Sequence, residues 1–171
     1  MKGTKLRIHF WGEKILRTKC RQVKEVNDEI RKLLDQMCVL MKNCDGMGLA
    51  ANQAGLDISL VVVNSGKEIL KLINPKILKR EGSTEFEEGC LSFPGLYINI
   101  KRARKVWVSY WNEKGEPLTI EASGILAVVL QHEIDHINGV VFIDRLPLWG
   151  RIKLRKRLKE IKGKYKNGMS E

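Results

Sequence analysis

The residues best suited to chemistry fall in three short stretches: "QHEIDH" with His132, Glu133 and His136, "EGCLS" with Cys90, and "GMGLAANQ" with Gln53. On a helix, positions i and i+4 share a face about one turn apart, so His132 and His136 can reach a single metal ion. Glu133, directly after the first histidine, can act as a base on a water that such an ion activates rather than as a ligand. The alternative is a pair of helix histidines satisfied by ordinary hydrogen bonds. The chain has three histidines in all, and two of them sit on this one turn.

Two histidines do not complete a site, so the third ligand decides its class. A continuation H-x-x-G-x-x-H would place the next ligand at Phe142, which cannot bind a metal. A carboxylate on a helix about twenty residues further on would have to be Glu160, within a strongly basic stretch. Both protease-like arrangements therefore fail on ligands. Cys90 lies in "EFEEGCLSFPG", a turn with glycine and proline where a thiol has little packing role, and its thiolate would complete a Cys/His/His set. Three protein ligands leave one coordination position open, the mark of a catalytic rather than a structural site, and the donor types alone suit zinc. The other cysteines, Cys20, Cys38 and Cys44, show no paired spacing and read as free thiols. The stretch "DGMGLAANQAG" (45–55) is either a tight loop entering a strand or also a working surface, with Gln53 as a side-chain donor and Gly48 where another backbone comes close.

These residues need elements to hold them. Asn27 can cap a helix in which Ile30, Leu33, Leu34, Met37 and Met41 share one face, ending before Gly46. "ISLVVVN" (58–64) reads as a buried strand, and "EILKLINPKIL" as further extended structure broken near Pro75. A hairpin is expected over "KVWVSYWNEKGEPLTIEA", turning at Asn112–Gly115. The histidine helix is expected from Ser123, as its cap, to Asn138, closed by Gly139. A basic helix follows Pro147 and Gly150 and fades at Gly163. Helices interleaved with hairpin-joined strands make the class α+β: a central HExxH-bearing helix packed against small, mostly antiparallel sheets, with a basic C-terminal helix.

At 171 residues the chain fits one domain able to bury a core without disulfides. No apolar run is long enough to span a bilayer, and the N-terminal stretch lacks the apolar block of a secretory signal, so a cytoplasmic address is expected. The net charge of +11 is uneven: residues 151–171 hold nine Lys/Arg against two Glu, a local +7, leaving +4 for the first 150. A basic tail on a near-neutral body suggests an address rather than a nucleic-acid-binding protein throughout.

With "GMGLAANQ" (46–53), "EGCLS" (88–92) and "QHEIDH" (131–136) in that order, the sequence resembles the peptide deformylases. The flanking "INPKIL" and "FIDRL" extend the likeness over about residues 5–148; Lys14 stands where many members place proline. The resemblance implies residues 1–148 as catalytic domain, with 149–171 a basic helix and tail of that domain. It implies removal of the formyl group from the N-terminal formylmethionine of nascent polypeptides, with release of formate. It implies Cys90, His132 and His136 as ligands of one divalent ion, Fe(II), with Zn, Ni or Co as substitutes. Glu133 is then the general base, and Gln53 with the Leu91 backbone N–H stabilises the oxyanion. Gly48, Met47, Val128 and Val129 fall at substrate-binding positions, though the valines also suit plain core packing. The tail, with an apolar stripe of Leu154, Leu158, Ile161 and Tyr165, is either a surface helix packed on the body or a docking element for the ribosome surface.

Overall fold

The computed structural model describes residues 6–165, so the ends of the chain, including residues 166–171 of the expected basic tail, lie outside the described residues. Helix α1 (Asp28–Asn43) starts as its sequence directs: the Asn27 side chain accepts from the Ile30 N–H at 3.0 Å, and Asp28 and Glu29 occupy the positive end of the helix dipole. Strands β1 (Gly48–Ala50), β2 (Leu60–Asn64), β3 (Ile69–Glu81), β6 (Lys105–Trp111) and β7 (Pro117–Ser123) form one antiparallel sheet in the order β1-β2-β3-β6-β7. Strands β4 (Thr84–Glu88) and β5 (Ile98–Arg102) form a separate two-stranded ribbon. Helix α2 (Gly124–Ile137) follows β7 directly, and α3 (Leu148–Lys153) and α4 (Arg155–Lys164) close the described chain. The fold is α+β with antiparallel sheets, as the sequence implies.

The run "LVVV" of β2 is buried throughout because both faces of the sheet are covered. Val61 and Val63 pack with Leu72, Val106 and Val108 against Leu130, Ile134 and Ile137 of α2. Leu60 and Val62 pack on the other side with Leu34, Met37 and Met41 of α1. Each large aliphatic side chain so buried contributes about 1.5–3 kcal/mol, which fixes α2 against the sheet and hence the positions of its polar residues. A third cluster joins Phe93, Ile100, Phe142 and Ile161, tying the turn after Cys90 to α4.

Several expectations need correction. Extended structure does not break at Pro75: β3 runs through it, and a register shift between Ile73 and Lys76 absorbs the missing donor. Asn74 takes a φ of 53° there, and its amide bonds both the N–H and the carbonyl of Val23 at 2.8 Å. Ser123 precedes α2 without capping it through its side chain, because it is still the last residue of β7, paired with Lys105. Gly139 does close α2, at φ 74°, where a Cβ would lie 2.6 Å from the Arg17 carbonyl oxygen. The basic helix starts earlier than expected, contains Gly150, breaks at Leu154, and continues through Gly163 to Lys164. Its stripe faces the body: Ile161 is buried, and Tyr165 stacks on Phe10 at 4.2 Å between ring centroids. Among the described residues, no helix is long and apolar enough to cross a membrane.

Candidate active site

Ten of the fourteen residues of α2 are buried, and they include Gln131, His132, Glu133, Asp135 and His136. Polar groups taken from water cost several kcal/mol unless something replaces the lost hydrogen bonds, so each needs a partner or a ligand. Gln131 is satisfied by the N–H and carbonyl of Ala103 and the carbonyl of Ala127. The two histidines are not satisfied in that way. Their Nε2 atoms face each other at 3.2 Å, and Cys90 Sγ lies 3.3 Å from His136 Nε2. One donor atom from each of the three residues lies within 4.8 Å of the others, and they are the one such group among the described residues.

The donor set fits a metal ion. Bond lengths of about 2.0–2.1 Å to imidazole nitrogen and about 2.3 Å to thiolate, at tetrahedral angles, require donor separations of about 3.3–3.6 Å. The observed 3.2 and 3.3 Å are close to that without rearrangement. Burial opposes protonation of the His132 ring, but Cys90 and Glu88 outweigh it and hold the pKa well above the ordinary value. Burial and the neighbouring His132 push His136 the other way, leaving it a neutral imidazole with a lone pair to offer.

A buried chain of ion pairs orients His132, whereas His136 Nδ1 is buried without a hydrogen-bond partner among the described residues. His132 Nδ1 meets Glu88 Oε2 at 2.8 Å. Arg102 donates Nε to Glu88 Oε1 at 2.7 Å and Nη2 to Oε2 at 2.9 Å, and its third nitrogen donates to Asp135. Arg145 holds Asp135 from the other side. The side chains of Glu88 and Arg102 are each 3% exposed, so neither charge is tolerable without the other. Such partners fix the tautomer and angle of a ligating histidine. The sequence reading missed Glu88, Arg102, Asp135 and Arg145 as a set. Glu88 and Asp135 stood inside the quoted motifs; Arg102 carried no local signal.

Glu133 lies beside this cluster with Oε2 buried and without a hydrogen-bond partner, and burial pushes its carboxyl up to about 7. That value suits a group that takes up and gives back a proton near neutrality. Gly48 explains how the carboxylate fits: a Cβ there would lie 2.5 Å from Glu133 Oε1 and 2.7 Å from its Cγ. Where the sequence suggests the approach of another backbone at Gly48, the structure places the Glu133 side chain against it. The Gln53 amide accepts from Ala50 N–H at 2.9 Å and donates towards Ser92 Oγ and Cys90 Sγ at 3.3 and 3.4 Å. Leu91 follows Cys90 in the turn, and its N–H makes no backbone hydrogen bond among the described residues.

These groups line a cavity of about 560 Å³. Met47, Gly48, Gln53, Cys90, Leu91, Val128, Val129, His132 and Glu133 all border it; His136 lies fully buried behind. Every residue expected at the site is therefore in one place. Phe86 and Tyr97, both exposed at the same cavity, were not anticipated, since a lone aromatic in a loop or ribbon carries no periodic signal. Phe142, the residue that rules out a third histidine, is 1% exposed with its ring centroid 5.7 Å from that of His132.

Comparison with known proteins agrees with this geometry. A sequence model of the family described as polypeptide deformylase matches residues 5–151. The chain is 43% identical over 161 residues to a peptide deformylase of Picosynechococcus, covering 91% of this chain and 85% of that protein. It is 41% identical over 170 residues to one from Helicobacter pylori, covering 95% and 98%. The crystal structure of a Thermus thermophilus peptide deformylase superposes with a TM-score of 0.86 at 37% identity, covering 92% and 97% of the two chains. A Synechococcus elongatus peptide deformylase, solved in complex with actinonin, gives 0.83 at 38%, covering 97% and 90%. The chain belongs to the peptide deformylase family.

Proposed function

We propose that this protein is a metal-dependent hydrolase that removes the formyl group from the N-terminal formylmethionine of nascent polypeptides and releases formate. The observation that carries the reading is the convergence of Cys90, His132 and His136 on one point at a cavity that Glu133 and Gln53 also line. Cys90, His132 and His136 would hold one divalent ion, taken as Fe(II) on the family resemblance, with Zn, Ni or Co as substitutes. When bound, such an ion supplies Lewis acidity, acidifying water and polarising a carbonyl.

The chain's own groups supply the rest. The Glu133 carboxylate takes the proton of the attacking water and returns it to the leaving amine, a role its raised pKa matches. Gln53 Nε2 and the Leu91 N–H donate to the formyl oxygen as negative charge develops there. Among the described residues strand β1 bonds β2 on one side only, so its second edge at Gly48 can pair with an extended substrate backbone. Met47, Val128 and Val129 provide the apolar slot for methionine beside it. The test is appearance of the free α-amine from a formyl-Met tripeptide, together with formate, by purified protein, with amine release from the acetyl-Met tripeptide as control. Equal turnover of both peptides, or of neither, overturns the reading.

The family resemblance and the charge of α3 and α4 together support docking on the ribosome surface and a cytoplasmic site of action. Arg151, Lys153, Arg155, Lys156, Arg157, Lys159, Lys162 and Lys164 are all exposed while the stripe packs inward, and of these Arg157 alone is ion-paired among the described residues, with Glu160, so the rest of the charge is open to RNA phosphate. Reversing Arg155, Lys156 and Lys159 to Glu should weaken cosedimentation with ribosomes at low salt and flatten its salt dependence, with peptide hydrolysis unchanged. Equal, salt-insensitive binding by both proteins would leave these helices as surface alone.

A further inference from the structure

Behind the candidate active site, on the far side of the Glu88–Arg102–Asp135 chain, lies a second cavity of about 270 Å³. Its wall is formed by Arg80 near the end of β3, Gly82 and Ser83 of the following turn, Lys101 of β5, and Arg102, Asp135 and Arg145 of the buried chain. Within that chain the two guanidiniums, Arg102 and Arg145, cancel the two carboxylates, Glu88 and Asp135. The remaining cations of the wall are unpaired among the described residues. Arg80 and Lys101 make no ion pair or side-chain hydrogen bond among the described residues, and Arg104 lies over the same turn, its Nε 3.2 Å from where a Gly82 Cβ would stand. The acids nearby on the sheet are engaged elsewhere, Glu81 with Lys79 and Glu121 with Lys105. Glu85 is opposite Lys101 in the β4–β5 register, yet the two make no ion pair.

Three features distinguish this place from a scatter of surface lysines. The cations converge on a concave wall, where field lines are focused. Arg145 uses Nε and Nη2 on Asp135 and keeps Nη1 unused, so one nitrogen of a guanidinium already held in place remains to donate. The cavity volume is several times the roughly 30 Å³ that a water takes in the liquid, enough for an oxyanion with part of its hydration. Arginine forks match the tetrahedral oxygens of phosphate, and lysine adds a point charge.

We propose that this cavity is a binding site for a phosphate group, with Arg80, Lys101 and the unused nitrogen of Arg145 as donors and Ser83 Oγ as a further one. The phosphate can come from two sources, a free phosphorylated small molecule or the backbone of an RNA. Nothing in the proposed hydrolysis uses Arg80 or Lys101, so the site is separable from it by mutation.

The experiment uses full-length protein at fixed ionic strength, made up with chloride. Binding of inorganic phosphate and, separately, of a short RNA lacking terminal phosphates is followed by titration calorimetry, for wild type and for the double variant Arg80→Ala/Lys101→Ala. Formate release by both proteins is measured alongside and should be unchanged, which shows that the variant is folded. Saturable binding of either probe that weakens at least tenfold in the double variant supports the site. If inorganic phosphate saturates and RNA does not displace it, the ligand is a small phosphorylated molecule. If RNA binds at least tenfold more tightly than inorganic phosphate and still depends on Arg80 and Lys101, the source is nucleic acid. Non-saturating responses to both probes, or saturable binding equal in the two proteins, overturn the proposal.

Discussion

Gly48→Ala is a one-methyl test of how the base is placed. The new Cβ would stand 2.5, 2.7 and 2.9 Å from Oε1, Cγ and Cδ of Glu133, whereas ordinary non-bonded carbon contacts begin at about 3.5 Å. Relief cannot come from the end of the side chain alone, because Cγ is also in conflict and α2 is packed on the sheet. The carboxylate must therefore move by about 1 Å. A displacement of that size at a catalytic group costs about 10²-fold in rate. Overpacking of about 1–3 kcal/mol should accompany it, which for a chain of this size is a fall in Tm of about 2–4 °C per kcal/mol. The ligands Cys90, His132 and His136 are untouched, so metal content should stay at wild-type level. The assay is kcat and KM for a formyl-Met peptide, with metal analysis of the same sample. A double-mutant cycle sharpens it: in a Glu133→Ala background the clash is gone, so Gly48→Ala should cost little further activity. A single variant within threefold of wild type, or a full additional 10²-fold loss in the Glu133→Ala background, would refute the reasoning.

Other perturbations follow from the same structure. Glu88→Gln removes the carboxylate that orients His132 and pairs Arg102, so metal affinity should fall about 10–100-fold, read by competition with a chelator. Arg102→Ala leaves Glu88 and Asp135 buried without their cation and should cost about 3–5 kcal/mol in denaturant unfolding, while a loss under 1 kcal/mol would contradict the ion chain. Ile161→Ala in α4 should cost about 2–5 kcal/mol, because that helix is part of the core cluster with Phe93 and Phe142; a negligible loss would make it a dispensable tail. Glu13 carries a pH prediction. Burial raises its pKa, but bonds from Arg7, the Phe10 N–H and His9 outweigh that and bring it from 4.5 to about 2. A depressed folded-state pKa stabilises above the unfolded value, so the Tm gap between wild type and Glu13→Gln should be constant above about pH 5 and shrink as pH falls towards 2. A gap that widens on acidification would reverse the assignment.

What the sequence disclosed depended on whether the signal was local. The i,i+4 spacing of His132 and His136, the cap at Asn27 and the placement of Cys90 in a turn are properties of a few adjacent residues, and the structure carries all of them. Pro75 misled because a bulge and the positive φ of Asn74 let a strand continue past a missing donor, a compensation set by the partner strand β6. Ser123 misled because the preceding strand had already fixed its backbone. The ion chain from His132 to Arg145 joins positions 44 and 33 residues apart, so no window along the sequence could display it. The apolar stripe of the tail was visible as periodicity, but whether it faced the body or a partner depended on Phe10, Phe93 and Phe142, far away in the chain.

The proposed chemistry divides the labour: three residues hold the ion and Glu133 moves the proton. Metal content and formate release, measured together on wild-type and Glu133→Ala protein purified without oxygen, test that division directly. One equivalent of metal is expected in both, with a loss of at least about 10³-fold in turnover in the variant, as removal of a positioned acid–base group and its proton path requires. Loss of the metal from the variant, or turnover within tenfold of wild type, would contradict that division.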